Sequence, residues 1–425
     1  MAEWTGVEYP EYDETLGDHE VELKSEHLLG KRIALLVTGS VAAMNSPHLA
    51  RELRKHGADV QAFVSESALK YGVNKEALQW ATWPNPVVTE LTSASEHLNL
   101  WNPFDLYLVA PATANTICKI AAGISDTVVT GAVASALGRM FFRKKTSVMM
   151  VPCMHGSLHN LMFHDAVLKL QREHNVFFVK PFNAYGKHNM TDKKDIVMDA
   201  CRVLSDSPLK NKKILVTSGP TPVMIDSVRM LTNRFSGKLG VMIAEELYRL
   251  GADVFLLQSY YGVRPPRYVP HQLFKTYDEY RYQVLCRVEN IDEVGVFSAA
   301  VADYRPEEVL LGKTPSKGAL KNIKLTETEK VIDLVSKCNP NFTIVSFKYE
   351  EGKTEAEEKK IVKQRLDRGH ELVVYTDGTK NSKSGDQVAR IYGNNNGCLC
   401  HSEATGKNKI AEELAIMMES SFSKK

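Results

Sequence analysis

The 425-residue sequence is 44% hydrophobic, ample for two globular cores, and two domains of roughly 180–215 residues are the natural division. Its 53 Lys and Arg against 51 Asp and Glu leave a formal charge of +2, which excludes the broad positive field of a nucleic-acid binder or a membrane-surface protein. Seven scattered cysteines imply reduced thiols and a cytoplasmic home, and no stretch approaches the ~18–20 apolar residues of a membrane span.

Residues 1–30 read as an N-terminal arm, mobile or loosely docked; the acidic start lacks the apolar region of a signal peptide. Residues 31–37 (KRIALLV) predict a buried parallel strand that ends in Thr38-Gly39-Ser40, followed by a helix over 47–56 that stops at Gly57. Residues 59–64 predict the next strand, ending in Ser65-Glu66-Ser67. Residues 105–109 run into Ala110-Pro111-Ala112-Thr113-Ala114-Asn115-Thr116, and 147–151 into Pro152-Cys153-Met154-His155. The polar, Pro-containing stretch 205–211 reads as a linker. The pattern then restarts with a strand at 212–216, a helix at 237–250 closed by Gly251, and strands at 253–257, 294–298, 343–347 and 372–375. Alternating strand, small-residue turn and helix predict two doubly wound (Rossmann-like) parallel-sheet α/β domains in tandem, over 31–204 and 212–425.

Two blocks concentrate small and hydrogen-bonding residues at strand ends, where α/β proteins build ligand sites. In the first, Gly39 and Ser40 open a helix, and Ser65 and Ser67 end the neighbouring strand. Glycine allows close backbone approach, and hydroxyls with helix N-terminal amides suit a phosphate. The glycines do not form G-x-G-x-x-G, so a mononucleotide fits better than a dinucleotide. Thr113 and Asn115 offer polar groups to a ring; helix capping would explain them as well. In the second block, Gly219-Pro220-Thr221 is followed by Asp226-Ser227-Val228-Arg229, Asn233 and Ser236-Gly237-Lys238-Leu239-Gly240. Cys398 and Cys400 beside His401 lack the second ligand pair of a zinc site, so no structural metal is expected.

The first block resembles that of the homo-oligomeric flavin-containing cysteine decarboxylases, which share a P-A-S-A-N-T stretch; here Thr113 stands for the serine. His97 lies thirteen residues before Ala110, where the family has its active-site histidine. The second block resembles phosphopantothenate–cysteine ligases through the motifs above, together with the segments 299–304 (AAVADY) and Ser346-Phe347-Lys348. This order is that of the bifunctional coenzyme A biosynthesis family, in its archaeal-like form.

The resemblance implies that the ligase half couples 4'-phosphopantothenate to cysteine through an acyl nucleotidylate. It implies that the decarboxylase half then converts 4'-phosphopantothenoylcysteine to 4'-phosphopantetheine with FMN. It assigns His97 and His155 to decarboxylation, with Gly39, Ser40, Ser65, Ser67, Thr113, Asn115 and Met154 at the flavin. In the ligase half it assigns Asn233 to the acyl intermediate and Lys313 to phosphate charge. Ser236, Gly237, Lys238, Ala299, Asp303 and Phe347 fall at the nucleotide, which is CTP or alternatively ATP, with Mg2+. Two departures stand out. His155 replaces the family's asparagine, and the short lid at 181–190 (PFNAYGKHNM) has no cysteine, leaving Tyr185, Lys187 or His188 to serve. The competing readings are an active ligase fused to an altered flavin-binding module, and a non-catalytic flavoprotein subunit. The family also implies a homo-oligomer, most simply a dodecamer of trimers joined through dimer contacts; the apolar clusters at 140–142 (MFF) and 161–163 (LMF) read equally as an interface or as core.

Overall fold

A computed structural model describes residues 17–98, 102–290, 292–315, 322–379, 385–395 and 398–423. The chain divides into two compact units, one ending at Leu204 and the other beginning at Ser205.

In unit 1 the elements run β1 (Arg32–Val37), α1 (Ser46–Arg54), β2 (Asp59–Val64), α2 (Glu66–Lys70), α3 (Lys75–Thr82), β3 (Leu106–Ala112), α4 (Ala114–Ala121) and α5 (Val128–Phe141). They continue through β4 (Ser147–Pro152), β5 (Met154–His155), α6 (Leu161–His174), β6 (Phe177–Phe178), β7 (Phe182–Ala184), β8 (Lys187–Asn189) and α7 (Lys193–Leu204). The main sheet is parallel, with strand order β2-β1-β3-β4-β6. Ile33 to Val37 and all of β3 are buried, because a parallel strand is covered by helices on both faces and must be apolar throughout. The strand order reverses between β1 and β3, so the carboxyl ends of these two strands form the crevice.

Unit 2 runs β9 (Lys213–Ser218), β10 (Val223–Met224), β11 (Met230–Leu231), α8 (Lys238–Arg249), β12 (Asp253–Ser259), β13 (His271–Phe274), α9 (Tyr277–Asn290), β14 (Val294–Phe297), β15 (Tyr304–Pro306) and β16 (Leu325–Glu327). It closes with α10 (Val331–Cys338), β17 (Thr343–Glu350), α11 (Glu355–Leu366), β18 (His370–Asp377), β19 (Val388–Asn395), β20 (Cys398–Thr405) and α12 (Lys407–Phe422). Its eight-stranded sheet has the order β13-β12-β9-β14-β17-β18-β19-β20, with the reversal between β9 and β14. It is parallel up to β18; β19 and β20 then add antiparallel strands, so the second sheet is mixed rather than wholly parallel.

The described part of the arm is docked on unit 1. Leu28 is fully buried, Lys24 pairs with Glu52 at 2.5 Å, and the Ser25 hydroxyl lies 2.6 Å from His56 Nδ1. His19 stacks on Trp83 with ring centroids 4.9 Å apart. Residues 1–16 lie outside the described residues.

Candidate functional site

The crevice of unit 1 is held by Thr38, just past β1 and buried. Its hydroxyl donates to Pro111 O (2.7 Å) and accepts from Thr113 N (3.2 Å), tying the end of β1 to the end of β3. Gly39 packs against Ser67: a Cβ there would lie 2.5 Å from Ser67 Oγ and 2.7 Å from Ser67 Cβ. The Ser67 and Ser65 hydroxyls are 3.2 Å apart, and Ser65 caps α2 by accepting from Ala68 N. Gly39, Ser65 and Ser67 are therefore brought together into one small polar cradle. Ser40 adjoins it, its Oγ 3.4 Å from Cys153 Sγ at the end of β4. Thr113 is the N-cap of α4, accepting from Thr116 N (3.3 Å), and Asn115 is exposed in the first turn. Met154 packs into the hydrophobic core.

His97 is half-buried, and its Nδ1 is buried with no hydrogen-bond partner. Its ring faces the first turn of α5, where a Cβ on Gly131 would lie 3.9 Å from His97 Cδ2. An orphaned ring nitrogen of this kind is costly unless a ligand supplies the bond. His155 is exposed; its Nδ1 is 2.7 Å from Ser157 Oγ and accepts from Ser157 N (3.2 Å). The expected lid is a hairpin, β7–β8, that joins β5 in a three-stranded sheet, with His155 opposite Lys187. Tyr185 and Gly186 turn the hairpin with φ of 53° and 65°. Behind the turn, His188 Nδ1 is 2.6 Å from Asn183 Oδ1 and its Nε2 is 2.7 Å from His159 Nδ1. Burial, then the neighbouring His159, pushes the His188 imidazole pKa down.

In unit 2 the N-terminus of α8 closes onto the strand ends through glycines. Gly237 has φ of 76°, and a Cβ there would lie 2.7 Å from Gly219 N and from Ser218 Oγ. At Gly240 a Cβ would lie 2.5 Å from both Ser218 Oγ and Ser298 Oγ. The amides of the first turn and the exposed Lys238 thus sit over the β9–β14 crevice, and Ser236 is exposed beside them. This arrangement is electropositive and suits an anion. Asn233 crosses to the far lip, its Nδ2 donating to Ala300 O (3.0 Å) and Val301 O (3.2 Å). Ala299 N donates to Thr217 Oγ1 (3.3 Å). Asp303 is exposed and paired with Lys330. Lys313 is exposed on a loop, Ser316 lies outside the described residues, and Phe347 is half-buried on β17.

Residues 21–205 match the Flavoprotein family, and residues 209–421 match the family described as the DNA/pantothenate metabolism flavoprotein C-terminal domain. The Coenzyme A biosynthesis bifunctional protein CoaBC of Thermococcus kodakarensis is 38% identical over 367 residues, covering 84% of this chain and 88% of that protein. The protein of the same name from Methanocaldococcus jannaschii is 31% identical, covering 87% and 89%. The chain belongs to the CoaBC family of bifunctional coenzyme A biosynthesis proteins. Among solved structures, the DNA/pantothenate metabolism flavoprotein from Streptococcus pneumoniae is 26% identical, with 49% of this chain and 99% of that chain covered and a TM-score of 0.44.

For a CoaBC-family chain, several residues at the two crevices carried no signal of their own in the sequence. Thr38 staples the first crevice from a buried position. Lys330 partners Asp303 from 27 residues away. The His159–His188 contact forms only when the hairpin folds back on the 153–159 turn, where Gly156 N–H donates to Gly186 O (2.9 Å) and a Cβ on Gly156 would lie 2.4 Å from that oxygen. None of these contacts is local, so residue type and spacing alone do not reveal them.

Proposed function

We propose that unit 1 converts 4'-phosphopantothenoylcysteine to 4'-phosphopantetheine with FMN, and that unit 2 makes this substrate from 4'-phosphopantothenate, cysteine and CTP in the presence of Mg2+. Family membership across both units supports the reading. The structural observation that carries it is the pair of glycine contacts at strand ends, Gly39 against Ser67 beyond β1 and β2, and Gly237 and Gly240 against Ser218 at the β9–β14 reversal.

FMN, when bound, supplies the hydride acceptor and donor that cysteine decarboxylation requires. The Gly39, Ser40, Ser65 and Ser67 region offers one group of hydroxyls without a dinucleotide glycine fingerprint, which supports FMN over FAD. Thr113, Asn115 and Met154 follow on the ring side. His97, with a buried ring nitrogen awaiting a partner, exchanges the proton at the substrate. His155 orients the substrate's polar groups. Of the flap candidates, His188 is supported as proton donor by its hydrogen-bond chain through His159 and Asn183, whereas Tyr185 is 95% exposed at the hairpin tip.

In unit 2, Ser236, Gly237 and Lys238 take the triphosphate, and Lys313 meets the charge that develops as pyrophosphate leaves. Ala299, Asp303 and Phe347 hold the nucleoside, and Asn233 clamps the acyl nucleotidylate.

Exposed Phe141, Phe142, Leu161 and Met162 (81%, 73%, 79% and 80%) support a homo-oligomer built through unit 1, with a dodecamer as the simplest closed form. Cys118, Cys153, Cys338 and Cys400 are not in disulfides, which supports a cytoplasmic site of action. No helix among the described residues is long and apolar enough to cross a membrane.

The test uses the purified chain. Flavin released on denaturation is identified, carbon dioxide is measured from 4'-phosphopantothenoylcysteine, and pyrophosphate is measured with CTP and with ATP. FMN, carbon dioxide release and CTP-dependent pyrophosphate are expected. Released FAD or a silent decarboxylation assay would overturn the first half, and preference for ATP would overturn the choice of nucleotide.

A further inference from the structure

The 225–229 turn, between β10 and β11, contains a fully buried carboxylate, Asp226. Its Oδ1 accepts from Val228 N (2.8 Å) and Arg229 N (2.7 Å), which shapes the turn. Its Oδ2 accepts from Arg229 Nη1 (2.6 Å) and, across 88 residues, from Thr314 N (3.3 Å). Arg229 Nη1 also donates to Thr314 O (3.2 Å). Two backbone bonds complete the attachment: Leu310 N to Ile225 O (3.0 Å) and Ser227 N to Gly312 O (3.3 Å). Lys313 lies inside this four-point seam, between Gly312 and Thr314. Neighbouring Leu311 is fully exposed, so the segment is held by polar bonds and not by apolar burial.

We infer that Asp226 is a positioning residue for the ligase reaction: it clamps the 310–314 segment onto the 225–229 turn and thereby holds Lys313 where the nucleotide's phosphates react. The inference rests on the ligase reading of unit 2. Burial opposes ionisation of Asp226, but the donors from Val228, Arg229 and Thr314 outweigh it and hold the carboxyl well below the usual carboxylate range. The clamp is therefore charged throughout the working pH range and does not act as a pH switch. A buried carboxylate is expensive unless its lone pairs are used, and here one of its donors, Thr314 N–H, comes from the distant segment.

The test is Asp226→Asn in the full chain. The change is isosteric and keeps the turn, because an amide oxygen still accepts from Val228 N and Arg229 N. It places an NH2 group against Thr314 N–H and the Arg229 guanidinium, so the segment is released. Amide hydrogen exchange at Ser227, Leu310 and Thr314 is expected to rise by at least about tenfold. Pyrophosphate release is expected to fall by about 100-fold, the scale of a 1 Å misplacement, with decarboxylation of supplied 4'-phosphopantothenoylcysteine unchanged. The decisive readout is coupling. If Asp226 acts through Lys313, adding Asp226→Asn to Lys313→Gln costs less than about threefold more, whereas independent effects would multiply.

Thr314→Pro, which removes the Thr314 N–H from the seam, gives the same exchange signature at Ser227 and Leu310 with a smaller loss, and keeps the test open if Asp226→Asn misfolds. Wild-type chain without pyrophosphate release would refute the ligase reading, while exchange would still report on the clamp. Active wild type with Asp226→Asn within about threefold of it, or multiplicative losses in the Lys313→Gln background, would overturn the positioning role.

Discussion

Gly39→Ala is a quantitative test of the first cradle. The added Cβ would sit 2.5 Å from Ser67 Oγ, 2.7 Å from Ser67 Cβ and 3.2 Å from the Ser67 carbonyl carbon. These distances are too short for an ordinary contact, and Ser67 lies in the first turn of α2, where it has little room to retreat. In the flavin-free protein the 38–40 loop relieves the clash by moving. With a phosphate held between Gly39, Ser65 and Ser67 the loop must return, so the strain appears in binding. Overpacking of this kind costs about 1–3 kcal/mol, which raises the FMN dissociation constant roughly 5- to 150-fold. Ser67→Gly removes the two nearest atoms. Alone it weakens binding by deleting a hydroxyl, yet on the Gly39→Ala background it should tighten binding. Fluorescence titration of apoprotein with FMN measures all four states of this cycle. Gly39→Ala binding within twofold of wild type, or a double variant weaker than Gly39→Ala alone, would refute the contact-based cradle.

His97→Asn should keep FMN bound and abolish carbon dioxide release; decarboxylation within a few-fold of wild type would transfer the role to His155. Lys313→Gln should lower pyrophosphate release by about 100-fold, leaving decarboxylation intact, as two coupled assays on one preparation will show. His370, buried with its Nδ1 2.8 Å from Ser346 Oγ, is held at a pKa of about 4 by burial first and then by Arg365. It stays neutral in the fold while the unfolded chain gains a proton below about 6.5, so stability should fall between pH ~6.5 and ~4, by about 3 kcal/mol, and level off below. Urea midpoints for wild type and His370→Gln over that range check the sign. Light scattering should give a mass well above the 47.5 kDa chain, and Phe142→Glu should reduce it; a wild-type monomer would refute the homo-oligomer.

The parallel cores were legible because burial on both faces turns each strand into a short apolar run that ends in small or polar residues. Asp59–Val64 is predicted to the residue, and β1, β4, β12 and β14 to within two residues at each end. The antiparallel edge was not. Along β19, Tyr392 is buried because its hydroxyl reaches Glu358 on α11 (2.7 Å), and Arg390 bridges Glu358 and Glu403. Such partnerships leave no apolar run in the sequence. The arm reads as mobile or loosely docked, and its described residues dock through partners the sequence does not mark, Glu52 for Lys24 and His56 for Ser25. Met154 follows a Pro-Cys turn and reads as a turn residue, yet it lies in β5 and packs against the core. In the sites, glycines and hydroxyls at strand ends were visible, but Asp226 and Lys330 take their meaning from partners 88 and 27 residues away.

The two units, unlike in sequence, fix their crevices with the same device. Each has a buried threonine at the carboxyl end of the central strand, Thr38 after β1 and Thr217 in β9, both essentially inaccessible to solvent. Thr38 bridges to Pro111 O and Thr113 N beyond the reversal. Thr217 accepts from Ala299 N through its hydroxyl and from Ser298 Oγ (2.7 Å) through its carbonyl. In both cases the side chain replaces ladder hydrogen bonds that end where the strands diverge, so the crevice opens without leaving backbone groups unpaired. Glycine then brings a helix or turn against that opening: Gly39 against Ser67, Gly237 and Gly240 against Ser218. The scaffold contributes a narrow glycine-to-serine contact at the strand ends of each unit.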